Sequence, residues 1–279
     1  MISAHKEPAL DALFGKRRVA IGVVHLPALP GSPGFAGKLE HVYEQALEDA
    51  ERYVRGGIDG LIIENHGDIP FAKPEDIGFE TVATMSVITA DIRKRVGVPI
   101  GINVLANAAV PAVAVAQAAG AQFVRVNQWA NAYVANEGFI EGPAAKATRY
   151  RAMLRANNIR FFTDVHVKHG AHAITADRSL AELTRDVEFF DADAAIATGQ
   201  RTGDSAQLDE LQAIRDATQL PLLVGSGVNK DNAGEILSIA DGVIIASSLK
   251  EEGVWWTPVS EAKTKAFMAT VRRLRGEVI

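Results

Sequence analysis

The chain has 279 residues and a mass of 29.8 kDa, with 48% hydrophobic and 23% charged residues and a mean hydropathy of +0.05, which supports a large core and excludes a disordered chain. Its 34 acidic and 29 basic residues leave a formal charge of -5, which disfavours a nucleic-acid or anionic-membrane surface. Cysteine is absent, so disulfides, thiolate metal sites and cysteine nucleophiles are excluded.

Residues 1–18 read as an N-terminal extension without an apolar signal region, and no window approaches the ~20 apolar residues of a membrane span. The expected location is cytoplasmic. The first apolar run, Val19 to Leu26, is followed by an amphipathic stretch from Leu39 to Arg55, and the alternation then repeats. Further runs cover Asp59 to Asn65, Val98 to Leu105, Ala121 to Gln128, Ile159 to Val167, Ala192 to Gly199, Leu220 to Val228 and Asp241 to Leu249, with a last helix around Val259 to Arg275. Eight strand–helix repeats without a linker predict one α/β domain over 1–279, a closed (β/α)8 TIM barrel, in preference to a doubly wound sheet. The Pro-rich segment after the first strand carries no dinucleotide-binding fingerprint.

In such a barrel, inward residues at the C-terminal strand ends supply the chemistry, so strand parity selects candidates. The second and third strands offer Glu64 and Asn103, the fourth Arg125 and Asn127, and the fifth a ladder of Asp164, His166 and Lys168. Glu64 or Asp164 is expected as general base, its pKa raised by the barrel interior. Lys168 or His166 would polarise a carbonyl or protonate an oxyanion, and Arg125 would hold an anionic group. Lys168 also suits a Schiff base if its amine is desolvated. The structural alternative is a buried pair in which Glu64 or Asp164 merely neutralises Arg125.

His25 closes the first strand, and its parity with Val23 is read as unfavourable for the interior unless the Pro-rich turn redirects it. The stretch from Gln128 to Gly142, with Trp129, Tyr133 and Phe139, is long for a βα loop and reads as a lid or a small extra helix. The loop after the sixth strand offers Thr202 and Gly203 to a ligand, or is an ordinary polar loop. After the seventh and eighth strands, Gly225, Ser226 and Gly227, then Ala246, Ser247 and Ser248, form small-residue turns suited to phosphate, with Lys250 as a third contact or a solvated side chain. No organic cofactor is expected. His66, His169 and His172, near Glu64, Asp68, Asp164 and His166, leave a divalent metal open, although no HExxH or i,i+4 His spacing supports zinc and no metal ligand is assigned.

The blocks GVVHLPALPGSP, GGIDGLIIENHGDIPF, GINVLANA, RVNQWAN, DVHVKHGAH, ATGQRTGD and VGSGVNKDN, in this order, resemble the BtpA/SgcQ family over nearly the whole chain. The resemblance implies a phosphate-binding-type barrel, and the family's names come from photosystem I biogenesis and a sugar-utilisation gene cluster. Where the family pattern leads one to expect Asn-Asp after NVL, this chain has Asn107 followed by Ala108. A weaker similarity is to the tryptophan synthase α subunit, whose Glu at the end of strand two precedes a loop that Asp68, Pro70 and Phe71 match here. The first expectation is thus an isomerase or lyase of a small phosphorylated metabolite such as a sugar phosphate, with homo-oligomerisation left open. The second is a non-enzymatic assembly factor for a membrane protein complex. The lack of an amphipathic basic helix and the inward placement of the polar groups weigh against it.

Overall fold

The computed structural model describes residues 7–199 and 207–277. In chain order the main elements are α1 (Ala9–Phe14), β1 (Val19–His25), α2 (Leu39–Arg55), β2 (Gly60–Glu64), α3 (Phe79–Arg95), β3 (Ile100–Asn103), α4 (Ala109–Ala119), β4 (Phe123–Val126), β5 (Ala132–Ala135), β6 (Gly138–Glu141) and α5 (Ala144–Met153). These are followed by β7 (Arg160–Asp164), α6 (Leu180–Phe189), β8 (Ala194–Ala197), α7 (Leu208–Ala217), β9 (Leu222–Val224), α8 (Ala233–Ile239), β10 (Gly242–Ile245) and α9 (Glu261–Arg275). Eight parallel strands close a barrel in the order β1-β10-β9-β8-β7-β4-β3-β2, so each of the eight apolar runs holds one barrel strand. The segment after β4 is neither a helix nor a plain loop: β5 and β6 pair as an antiparallel hairpin.

Both faces of each barrel strand are buried, as parallel strands wrapped by helices require. Val24, Ile63, Ile102, Val124 and Phe161 pack outward against the helices, for example against Ala46, Ala50 and Tyr53, which recur along one face of α2. Val19, Ile21, Val23, Ile62, Phe123, Phe162, Ile196, Leu223 and Ile244 fill the barrel, joined by Ala9 and Leu10 of α1. Phe123 and Phe162 stack with centroids 4.6 Å apart. Gly101 has to be glycine, because a Cβ there would lie 2.2 Å from the Phe123 ring.

The last segment is anchored by a buried ion pair. Lys250 Nζ donates to Asp49 Oδ2 of α2 at 2.7 Å, and the same carboxylate accepts from the Val259 backbone N–H at 2.7 Å. Lys250 is thus neither a phosphate contact nor solvated; its side chain is 1% exposed. Removing one partner leaves the other charge buried without a counterion, which costs about 3–5 kcal/mol. Urea denaturation of Asp49→Ala should show a loss of this size, and a loss below ~1 kcal/mol would refute the anchoring role.

Candidate functional site

The strands end at one mouth, where a cavity of about 650 Å³ opens. Its floor follows from parity. One step above Phe123 and Phe162 along their strands stand Arg125 and Asp164, and the guanidinium grips the carboxylate with Nε–Oδ1 at 3.1 Å and Nη2–Oδ2 at 2.9 Å. Burial acts against the Arg125 charge, but the Asp164 carboxylate outweighs it and Arg125 stays above its ordinary pKa. Burial pushes Asp164 up, with Arg125 drawing it back, yet both of its oxygens are engaged. Both Asp164 oxygens are taken up by the Arg125 fork, and Arg125 is held by the protein's own carboxylate.

Glu64 and His25 both reach the cavity wall. His25 lies two residues beyond Val23, which itself faces the interior, so its parity places it inside without any redirecting turn. Glu64 Oε2 accepts from Asn103 Nδ2 at 2.6 Å. Its Oε1 lies 3.1 Å from His66 Nδ1 and 3.5 Å from His25 Nε2. Burial alone would raise the Glu64 carboxyl, but the hydrogen bond from His66 and the Arg125 charge hold it well below the usual range, opposite to the sequence expectation. Burial keeps His25 neutral, lowering its pKa to about 3 against the pull of Glu64. The ligand-type atoms of His25, Glu64 and His66 all lie within 4.8 Å of one another.

The other candidates divide. Gly225, Ser226, Gly227, Ala246, Ser247 and Ser248 all line the cavity, and Ser248 Oγ ties the two turns together by donating to the Val228 carbonyl at 2.7 Å. Gly225 contributes room rather than a donor, because its N–H is bonded to the Ala197 carbonyl at 2.8 Å. Gly227 turns with φ +66, a conformation that favours glycine. Lys168 lines the cavity and donates to Ser226 Oγ at 3.2 Å. Asn127 lines it too, and its Oδ1 is buried without a hydrogen-bond partner. His166 is not among the lining residues: β7 ends at Asp164, the alternation stops there, and the ring packs on His172 with centroids 3.7 Å apart. Asn103 is second to the cavity and acts through Glu64. Asp68 is not part of the His25–Glu64–His66 cluster; it accepts from the Leu29 N–H and from Asn65, holding the loop that carries Pro70 and Phe71 into the wall. Thr202 and Gly203 lie outside the described residues.

Four contributors escape barrel-strand parity because they stand outside the barrel strands. Trp255 accepts from His25 Nδ1 through its carbonyl at 3.2 Å and sets its ring 4.6 Å from that of His66. Tyr133 and Glu137 bring the hairpin to the rim, whereas Trp129 is fully buried against Phe161. Asn107 secures the hairpin base, accepting from the Gln128 N–H at 2.8 Å and donating to the carbonyls of Gln128 and Glu141.

A closed parallel barrel with its ionisable groups gathered at the C-terminal mouth defines a TIM-barrel protein with a small-molecule-sized cavity. The chain belongs to the BtpA family, whose model matches residues 16–273. An uncharacterized protein of Pyrococcus abyssi is 38% identical over 257 residues, covering 92% of this chain and 97% of that protein. The photosystem I biogenesis protein BtpA of Synechocystis is 37% identical, covering 91% and 88%. Among solved structures, the N-(5'-phosphoribosyl)anthranilate isomerase of Pyrococcus furiosus superposes with a TM-score of 0.56 at 12% identity, covering 92% and 99%, a likeness of fold. No helix among the described residues is long and apolar enough to cross a membrane.

The neutral His25 gives stability a defined pH dependence. Above the unfolded-state histidine value of ~6.5 neither state is protonated; below it the unfolded chain takes up a proton that the folded chain refuses until about pH 3. The stabilisation is therefore complete above pH ~6.5 and is lost as pH falls, by about 2 kcal/mol at pH ~5 for this one group. Glu64, depressed in the folded state, loses its contribution only below its unfolded value of ~4.3, so it leaves this window undisturbed. Urea unfolding of wild type and His25→Gln should show a shallower pH slope in the variant, and identical slopes would exclude a buried neutral His25.

Proposed function

We propose that this protein is an enzyme acting on a small phosphorylated metabolite, with sugar phosphates as the substrate class, by proton transfer that leads to isomerisation or to carbon–carbon or carbon–nitrogen cleavage. The observation that carries this reading is the composition of one cavity. The turns after β9 and β10 form a wall of small residues beside β1, and His25, Glu64, Lys168 and Asn127 face the same space. Phosphate fits the small-residue wall because close backbone approach and serine hydroxyls suit an anion. The P. furiosus isomerase of the same fold is named for a phosphoribosyl compound.

In this reading Ser226, Gly227, Ser247 and Ser248 receive the phosphate, and Lys168, bonded to Ser226, neutralises it or polarises a carbonyl next to it. The buried acceptor Asn127 Oδ1 suits a substrate hydroxyl, since a buried polar atom without a partner costs free energy that a donor recovers. Glu64, ionised at neutral pH, supplies a fixed negative charge next to the reacting carbon, and the Lys168 ammonium stabilises or protonates the oxyanion that develops. A Schiff base at Lys168 is the covalent variant of the same reading.

A thermal-shift screen of phosphorylated sugars and nucleotides tests the binding step, because a ligand at about 100 times its Kd adds about 2.7 kcal/mol to the native state. One phosphorylated class should raise Tm in wild type and fail to do so in Ser247→Glu and Gly225→Glu, whose carboxylates repel phosphate; equal stabilisation of the variants would sink the assignment. With the ligand so identified, Lys168→Met should reduce turnover by at least ~100-fold. Borohydride trapping of a covalent adduct on wild type would select the Schiff base, and turnover without an adduct would select proton transfer. Should Glu64→Gln and Lys168→Met chains support cellular function while surface substitutions abolish it, the assembly-factor reading replaces this one.

A further inference from the structure

We propose that His25, Glu64 and His66 form a binding site for one divalent first-row transition metal of the zinc type, open to the cavity. The inference deepens the enzyme reading, since it names the group that would meet the substrate, but it rests on its own geometry.

Hydrogen bonding fixes which atoms are available. A backbone carbonyl only accepts, so the contact between His25 Nδ1 and the Trp255 carbonyl places the ring proton on Nδ1. Nε2 is therefore the ring nitrogen that faces Glu64 Oε1, at 3.5 Å, and the ligand-type atoms of all three side chains lie within 4.8 Å of one another. An imidazole nitrogen and a carboxylate oxygen at this separation can share one metal ion between them. His66 Nδ1, 3.1 Å from the same oxygen, provides the third donor. In a tetrahedral site with bonds of about 2.1 Å, neighbouring ligand atoms stand about 3.4 Å apart, so both edges that meet at Glu64 Oε1 already have metal-site length.

The supporting contacts match those of a metal centre. His25 is held by its Nδ1–H···O=C bond and Glu64 by the Asn103 amide at 2.6 Å, the outer contacts that orient imidazole and carboxylate ligands. Trp255 and Phe71 stand against the His66 ring and leave the remaining coordination positions to the cavity. Two imidazoles and one carboxylate suit zinc, iron(II), cobalt or manganese better than calcium or magnesium, which prefer oxygen donors. On binding, the Nδ1 proton of His66 leaves that nitrogen and Nε2 carries the ring proton instead, so His66 remains neutral while the metal takes the vacated lone pair. The set was hidden from sequence spacing because its members come from β1, the end of β2 and the loop after it, so the two histidines are 41 positions apart rather than four.

Chain free of added histidines and stripped with EDTA would be titrated calorimetrically with Zn²⁺ at neutral pH. The expected result is one Zn²⁺ per chain, with affinity reduced at least ~100-fold in His66→Ala and Glu64→Gln and unchanged in His41→Ala, an exposed histidine on α2. Co²⁺ added to wild type should give the visible absorption of a low-symmetry nitrogen–oxygen site, a readout that needs no variant to fold. Absence of stoichiometric uptake by wild type, or wild-type affinity in folded His66→Ala and Glu64→Gln, would overturn the proposal. The phosphorylated-ligand shift measured on the stripped chain reports the small-residue wall alone, so failure of the metal site and failure of the phosphate reading give different results.

Discussion

The bidentate pairing of Arg125 with Asp164 is the boundary on which the rest of the mouth depends. Beneath it the barrel is filled by Phe123, Phe162 and aliphatic side chains; above it the inward positions are polar. An arginine can stand on that boundary only because a carboxylate from the neighbouring strand meets both arms of its fork: Arg125 pairs in register with Phe162, so Asp164 stands one inward step further along β7 and the long guanidinium reaches up to it. The pair spends its charge on itself. What remains of its field reaches the groups around it: Arg125 still lowers the Glu64 carboxyl, and Lys168 still lowers that of Asp164.

The charge states of His25 and Glu64 are set by different physical causes. His25 is neutral because water is excluded from it, and Glu64 is ionised because hydrogen-bond donors and the Arg125 charge act on it in spite of that exclusion. A buried anion with two imidazoles against it differs from a carboxyl whose proton affinity is raised by an apolar pocket; it is a site that holds positive charge. In the proposed reading the small-residue turns nearby receive negative charge. A cavity offering both, with barrel neighbours β1 and β10 between them, suits a ligand with charge at one end and a polarisable group at the other.

Much of this architecture was legible in the residues. Eight apolar runs matched eight strands because parallel barrel strands are buried on both faces, and the amphipathic segment from Leu39 to Arg55 matched α2 end for end. Parity placed Glu64, Asn103 and Arg125 because each lies within a paired strand. It failed at His166, beyond the last residue of β7, where alternation no longer constrains direction. It failed differently at His25, because Val23 and Val24 are both buried and hydrophobicity alone does not tell inside from outside. The hairpin after β4 and the approach of Trp255 depend on tertiary contacts that no local pattern encodes.

The Asp49 anchor also bears on the order in which the molecule can be assembled. The carboxylate lies 201 positions before Lys250 and 210 before Val259, and β1 finds its second neighbour only in β10. A chain emerging from the ribosome therefore carries an unmatched internal charge and two open sheet edges until β10 and Lys250 have been made. The loop bearing Trp255, and with it the orientation of His25, lies in the same C-terminal portion. Closing the barrel at the β1–β10 seam and seating the Trp255 carbonyl on His25 both have to wait for that portion of the chain.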